Sequence, residues 1–392
     1  CFFPRSLHTL FPPESAVLNY TSFGALYKYI LYRKRVDTYM RIGAAISPYQ
    51  HFGICGCDLP DEVGARHVQF FERDVSLAKS IGLDLFRTGI EWALLEPASG
   101  KYSKTWLNFF ERYLSYIKSI GLEVWLTAHH FTNPRWIWRE GGWESKVAMK
   151  SYLNYIDLIL RNYKNYIDFL LLFNEPEIYI YLAYLKGDLP PYGFIAYKHA
   201  AKAFNNIKEA ILAARDLAKS YGVPVSFTHP YRKYRAKSLL KPLEPIFTKI
   251  SYSTLDLAKE MDIISINFYI VSEISLGGYR NVLEPEALLE LRAPRIAVTE
   301  YGIATRNERI RSAYLCEMAH VFRRIEPVAA IWWSLLHGYE WGLGYKPFFA
   351  LIDENRKPTP LALNMRRMLE APPPDCGPLP RDLGIEWRTA LD

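Results

Sequence analysis

Two glutamates, Glu175 and Glu300, each close an apolar run that reads as a buried strand, Phe169 to Asn174 in one case and Arg295 to Glu300 in the other. Carboxylates brought to one pocket from different strands suit a reaction that needs one acid and one base or nucleophile, and glycosidic cleavage has that requirement. In water both groups would be ionised near neutral pH. Close approach raises the pKa of one, and a neighbouring cation such as Arg87 keeps the other charged, so two identical side chains can divide the roles. Trp92, Trp136, Trp333, Trp341 and Tyr269 offer flat apolar faces to the hydrogen-bearing faces of sugar rings. Gln50, His130, Asn174 and Glu340 offer hydrogen-bonding groups to sugar hydroxyls. Each also has an ordinary structural reading, because strand-end polar groups cap helices or satisfy backbone atoms and tryptophans fill cores.

Other chemistries lack their residues. His129 and His130 are adjacent, so on a strand they point to opposite faces and cannot share one metal ion, and no H-E-x-x-H or paired-cysteine ligand set occurs. No G-x-S-x-G elbow or phosphate-cradling loop is present. The five cysteines are too sparse for a disulfide framework, which points to a reducing compartment, with a cytoplasmic location expected. A net charge of +7, from 48 basic against 41 acidic residues, carries no long basic run, and nucleic acid is not an expected partner. Half of the residues are apolar, which requires a large core. Only two glutamines occur among many tyrosines and prolines, a composition that leans toward a thermophilic source.

The elements that must position these groups alternate short apolar runs with longer stretches of helical period. Strands are expected at Ile42 to Ser47, Leu83 to Ile90, Glu123 to His129, Phe169 to Asn174, Val223 to Thr228, Ile263 to Phe268, Arg295 to Glu300 and Val328 to Ser334. Helices are expected between them, including Val68 to Ile81, Thr105 to Ile120, Lys146 to Tyr163, Phe194 to Tyr221 and Arg309 to Ile325, with a last one at Leu361 to Leu369. Eight β/α units without a G-x-G-x-x-G in the first favour an α/β fold of one closed (β/α)₈ TIM barrel, whose functional groups gather at the C-terminal ends of the strands. Residues 40–392 form that catalytic domain in this reading. Residues 1–39, broken by prolines and ending in a basic triplet, form a short N-terminal extension whose packing, surface-binding or artefactual origin the sequence leaves open, membrane-surface association among the options.

The motifs at those strand ends resemble glycoside hydrolase family 1, the β-glucosidase and β-galactosidase family, and its archaeal members above all. They are Ser47-Pro48-Tyr49-Gln50, Arg87-Thr88-Gly89-Ile90-Glu91-Trp92, His130 to Trp136, Phe173-Asn174-Glu175-Pro176, Asn267-Phe268-Tyr269, Val298 to Gly302 and Trp333 to Trp341, in family order. The resemblance implies a retaining mechanism with Glu175 as general acid/base and Glu300 as nucleophile. It implies that Arg87 and Tyr269 orient Glu300, and that Asn174 meets the sugar 2-hydroxyl. Gln50, His130, Glu340 and Trp341 resemble the residues that bind the terminal sugar, Trp333 its stacking platform, and Phe349 the aromatic residue near the 6-position. Tyr301, His337 and Gly338 depart from the family pattern and are expected to reshape the pocket rim.

The implied activity is exo-hydrolysis of terminal β-D-glucosyl or galactosyl residues from β-linked di- or oligosaccharides or aryl and alkyl β-glycosides, without cofactor or metal. A carboxylate at Glu340 would repel a 6-phosphate and so favours unphosphorylated sugars. β-Mannosidase action, transglycosylation and a non-catalytic carbohydrate-binding barrel are the alternatives, and a homo-oligomer is left open.

Overall fold

The runs at the expected positions pair because they are apolar on both faces, as strands sandwiched between a filled barrel and covering helices must be. The computed structural model describes residues 39–60, 64–244, 253–275, 278–291, 293 and 295–381. Its strands are β1 (Arg41–Ala45), β2 (Leu85–Gly89), β3 (Glu123–His129), β4 (Phe169–Asn174), β5 (Val225–Pro230), β6 (Lys233–Ala236), β7 (Ile264–Asn267), β8 (Val271–Ser275), β9 (Gly278–Val282), β10 (Ile296–Tyr301) and β11 (Ala329–Trp333). Eight of them close a parallel barrel in the order β1, β11, β10, β7, β5, β4, β3, β2, with β2 returning to β1. The seam pairs Arg41 with Ala329 through Ala45 with Trp333. This is the expected (β/α)₈ architecture. Except for its last residue, the extension at 1–39 lies outside the described residues.

Helices cover the barrel where polar caps meet a 3.6-residue apolar period. The helix Lys146–Tyr163 starts at Ser145, whose hydroxyl accepts from Val147 N, and buries Ala148, Tyr152, Tyr155, Ile156, Ile159, Leu160 and Tyr163 along one face. Asn307 caps Glu308–Ile325, and Thr359 followed by Pro360 opens Pro360–Glu370. One start differs from expectation: the helix expected from Phe194 begins at Tyr197, because Tyr192 and Ile195 take the left-handed conformation at φ 59° and 51°. A second, three-stranded sheet of β6, β8 and β9, not expected from sequence, is inserted around β7, the sixth barrel strand in chain order. No helix among the described residues is long and apolar enough to cross a membrane.

The reading of the cysteines needs correction. Cys55 is bonded to Cys57 and Cys316 to Cys376. Sequence spacing hides the second pair because the partners lie 60 positions apart and meet only when the chain after Pro360–Glu370 runs back over Glu308–Ile325. There His320 meets the Pro373 carbonyl at 2.8 Å and Arg323 donates to Glu370 O at 2.9 Å. Closing a loop of that length restricts the unfolded chain by about 4 kcal/mol. Cys316→Ser is therefore expected to lower the denaturation midpoint, and in reductant, which also opens Cys55–Cys57, parent and variant are expected to share one midpoint; equal midpoints of parent and variant without reductant would show that the tie adds nothing.

Candidate active site

Both carboxylates reach the barrel mouth through local irregularity in their strands. Between Val298 and Glu300 the register of β10 against β7 shifts, so that Glu300 falls opposite Asn267. A similar shift between Leu171 and Asn174 marks β4 against β5. Such bulges re-aim a side chain without breaking the barrel. Glu175 follows at φ 43° with Pro176 behind it, a left-handed conformation that costs about 1–3 kcal/mol in a residue with a side chain. Its amide is held by the Thr228 carbonyl at 3.0 Å and the Thr228 hydroxyl at 3.1 Å.

Arg87 organises the floor. Its Nη1 donates to Glu300 Oε1 at 2.5 Å and to Thr299 O at 3.0 Å, its Nη2 to Asn174 Oδ1 at 2.7 Å, and its Nε to Thr127 Oγ1 at 3.1 Å. The Tyr269 hydroxyl donates to the other Glu300 oxygen at 2.8 Å. Burial, and then the charge of Glu300, keep that phenol well above its ordinary pKa, so it stays a neutral donor. Glu300 thus accepts from a cation through one oxygen and from a phenol through the other.

Glu175 has the opposite surroundings. Its oxygen accepts only from Asn267 Nδ2, at 2.9 Å, among the described residues. Burial and then the negative charge of Glu300 push its pKa well above the usual carboxylate range. Asn267 also donates toward Asn174 Oδ1 at 3.3 Å and accepts from the Thr299 hydroxyl at 2.8 Å. Asn174 Oδ1 further accepts from Thr228 Oγ1 at 2.7 Å, which leaves the Asn174 amide nitrogen to face the pocket, 3.4 Å from His130 Nε2. One network of hydrogen bonds through Asn267, Asn174 and Arg87 therefore joins Glu175 to Glu300. Asn267, Thr228 and Thr299 were not among the expected site residues; their signal was the motif text around Tyr269 and Glu300 and the polar end of β5.

The expected sugar-binding groups also converge. Gln50 Nε2 donates to Glu340 at 3.2 Å and to Tyr339 O at 2.7 Å, while Trp333 Nε1 donates to the other Glu340 oxygen at 2.9 Å. Burial raises the Glu340 pKa to about 8. His130 lies near-parallel to Trp333 at 5.8 Å, and burial followed by the Arg87 charge holds its imidazole neutral. Trp341 stacks on Tyr49 at 5.2 Å, and Phe349 meets Tyr269 edge-on. Gln50, His130, Asn174, Glu175, Tyr269, Glu300, Trp333, Glu340, Trp341 and Phe349 all line one cavity, with Arg87 beneath it.

Some expectations fail. Trp92 and Trp136 do not line the cavity: they pack edge to face on each other, and their indole nitrogens donate to Glu96, the first to its side chain and the second to its carbonyl. Nor do the departures at Tyr301, His337 and Gly338 form the rim. Tyr301 is buried against Phe322 and Trp332, and His337 packs on Phe348. Gly338 is needed because a Cβ there would lie 2.6 Å from Gln50 O and 2.7 Å from His51 Nε2. Its role is to let the segment after β11 press onto the turn after β1. His129 and His130 do face opposite ways, the first stacking on Phe173. Among the described residues, Cys316, His320 and Cys376 are the one cluster with metal-ligand proximity, and its sulfurs are bonded to each other.

The family model described as glycosyl hydrolase family 1 matches residues 54–229. The chain is 25% identical over 338 residues to "Beta-glucosidase-like SFR2, chloroplastic" of Oryza sativa subsp. japonica, spanning 73% of this chain and 52% of that protein. It is 25% identical over 342 residues to "Galactolipid galactosyltransferase SFR2, chloroplastic" of Arabidopsis thaliana, spanning 73% and 54%. The chain thus spans about half the length of these two relatives. Among solved structures, the β-glycosidase from Pyrococcus horikoshii superposes with a TM-score of 0.76 at 20% identity, covering 90% of this chain and 97% of that one.

Proposed function

We propose that this chain, whose residues 54–229 match the glycosyl hydrolase family 1 model, is a member of that family and an exo-acting retaining β-glycosidase. The observation that carries the reading is the division of environments between Glu175 and Glu300 across one hydrogen-bonded floor. Glu300 attacks the anomeric carbon while Glu175 gives its proton to the departing oxygen, forming a glycosyl ester on Glu300. Glu175, now a carboxylate, takes a proton from water as that water displaces the ester, and both residues return to their starting states. The Asn174 amide nitrogen is placed to meet the 2-hydroxyl, and Gln50, His130 and Glu340 surround the sugar's far side above Trp333. Glucose and galactose are the sugars we assign first, with mannose next.

A second reading, transfer of the sugar to an alcohol in place of water, uses the same glycosyl ester. It is supported by Ile178, Leu182, Ile270 and Leu343, apolar side chains of the cavity lining that offer water few partners and stand alongside the charged Lys186, Asp188 and Arg232. The test is hydrolysis of aryl β-D-glucoside, galactoside and mannoside followed by proton NMR from the first turnover. The β-anomer appearing first supports retention, with transfer visible as new glycosides when an alcohol is added. The α-anomer appearing first overturns retention, and no turnover of any substrate overturns the exo-glycosidase reading.

A further inference from the structure

The acceptor side of the cavity continues onto an apolar surface that soluble sugars do not explain. Among the described residues twelve large apolar side chains are exposed, and five of them fall within seventeen positions: Tyr181 at 42%, Tyr192 at 57%, Phe194 at 74%, Ile195 at 51% and Tyr197 at 68%. Scattered exposure of single apolar residues is ordinary, whereas a cluster of this kind marks a binding surface. Tyr181 belongs to both regions, being exposed and lining the cavity beside Ile178 and Leu182.

The loop is built to hold that display. Gly193 N bonds to Ala183 O, Ile195 N to Leu185 O and Ala196 N to Tyr184 O, at 2.8–3.1 Å, which pins the loop along the π-helical turn Tyr181–Lys186 at the cavity rim. Ile195 is fixed in a left-handed conformation that a β-branched residue rarely adopts. Directly behind the aromatic tip, Lys198 and Lys202 stand exposed four residues apart at the start of the helix Tyr197–Ser220. Aromatic and aliphatic side chains flanked by lysines are the composition that seats a protein at the headgroup boundary of an anionic bilayer.

Resting on the glycosidase reading above, we propose that the substrate is a glycolipid, its sugar in the barrel and its acyl or alkyl chains passing Ile178, Tyr181 and Leu182 toward the loop 192–197, which docks on the lipid surface. The test uses the full chain with vesicles of phosphatidylcholine, with and without phosphatidylglycerol, carrying a β-glucosyl diacylglycerol, and a water-soluble aryl β-glucoside as reference. The parent is expected to float with the vesicles, more so with phosphatidylglycerol, and to cleave the lipid. Phe194→Ser with Tyr197→Ser is expected to lower vesicle binding and lipid turnover at least about tenfold at unchanged aryl glucoside turnover. Lys198→Glu with Lys202→Glu is expected to remove only the preference for the anionic vesicles. Equal vesicle binding by parent and aromatic variant, or no binding by the parent, overturns the proposal while intact aryl glucoside turnover keeps the glycosidase reading. So does a parent that elutes as a dimer which the aromatic variant converts to monomer, since the patch would then face a second copy. Vesicle binding without turnover of either substrate instead overturns the glycosidase reading and, with it, the assignment of the lipid as substrate.

Discussion

Glu300→Gln is expected to turn over aryl β-glucosides at least about 10⁴-fold more slowly than the parent, because in the proposed mechanism the amide cannot form the ester that splits one difficult displacement into two. The glutamine is the informative substitution. Its oxygen still accepts from Arg87 and Tyr269, whereas Glu300→Ala strands the buried Arg87 cation and is expected to cost about 3–5 kcal/mol of stability as well. Melting curves separate the two effects. In Glu300→Ala, azide added to the vacated space attacks the sugar directly and yields the α-glycosyl azide. Activity of Glu300→Gln within tenfold of the parent would remove Glu300 from the nucleophile's role.

Removing Glu175 gives the complementary result. Glu175→Ala is expected to slow cleavage of alkyl glycosides by about 10²–10⁴-fold, and to affect formation of the glycosyl ester far less when the leaving group is a dinitrophenolate that needs no proton. Azide then intercepts the ester from the opposite face, so the product is the β-glycosyl azide. The two variants therefore give opposite anomers, and exchanged outcomes would exchange the assignments.

The pH profile carries the same logic. In the proposed mechanism Glu175 acts as acid while protonated, and its pKa is raised by burial and then by the Glu300 charge. The parent's kcat/KM is expected to persist above the ordinary carboxylate range and to fall as pH rises through that raised pKa. In Glu175→Ala this alkaline limb disappears. In Glu300→Gln one of the two causes is gone, and a carboxyl titration followed by infrared difference spectroscopy is expected to place Glu175 lower than in the parent.

The eight barrel strands were legible because each is a short apolar run whose polar end coincides with the mouth, and β3 and β4 match the expected bounds. That Glu175, Glu300, Arg87 and the residues expected to face a sugar meet at one cavity was legible through motif spacing. What escaped depends on three-dimensional context. Asn267 and Thr228 carry no chemistry of their own and matter only because the fold sets them against Glu175 and Asn174. Trp92 and Trp136 look like sugar platforms in one dimension, but their indole nitrogens are already satisfied by Glu96 in the packing outside the cavity. The sheet of β6, β8 and β9 joins segments separated by a barrel strand, so no local period announces it. The helix expected from Phe194 was delayed by backbone conformations at Tyr192 and Ile195 that side-chain periodicity does not record.

The sugar-facing groups Gln50 and Glu340 belong to opposite ends of the barrel's order, one just after the first strand and one just after the last, and they meet only across the seam of β1 and β11. Tyr339 N on Gln50 O, and Gly338 pressed against the same turn, fasten that junction. During synthesis, a chain that has not yet delivered residue 340 holds Glu175 and Glu300 but lacks one side of the cavity between them. Under the proposed function, sugar recognition is in this sense the last property the growing polypeptide acquires, and binding of a monosaccharide analogue is the expected signal that the circle has closed.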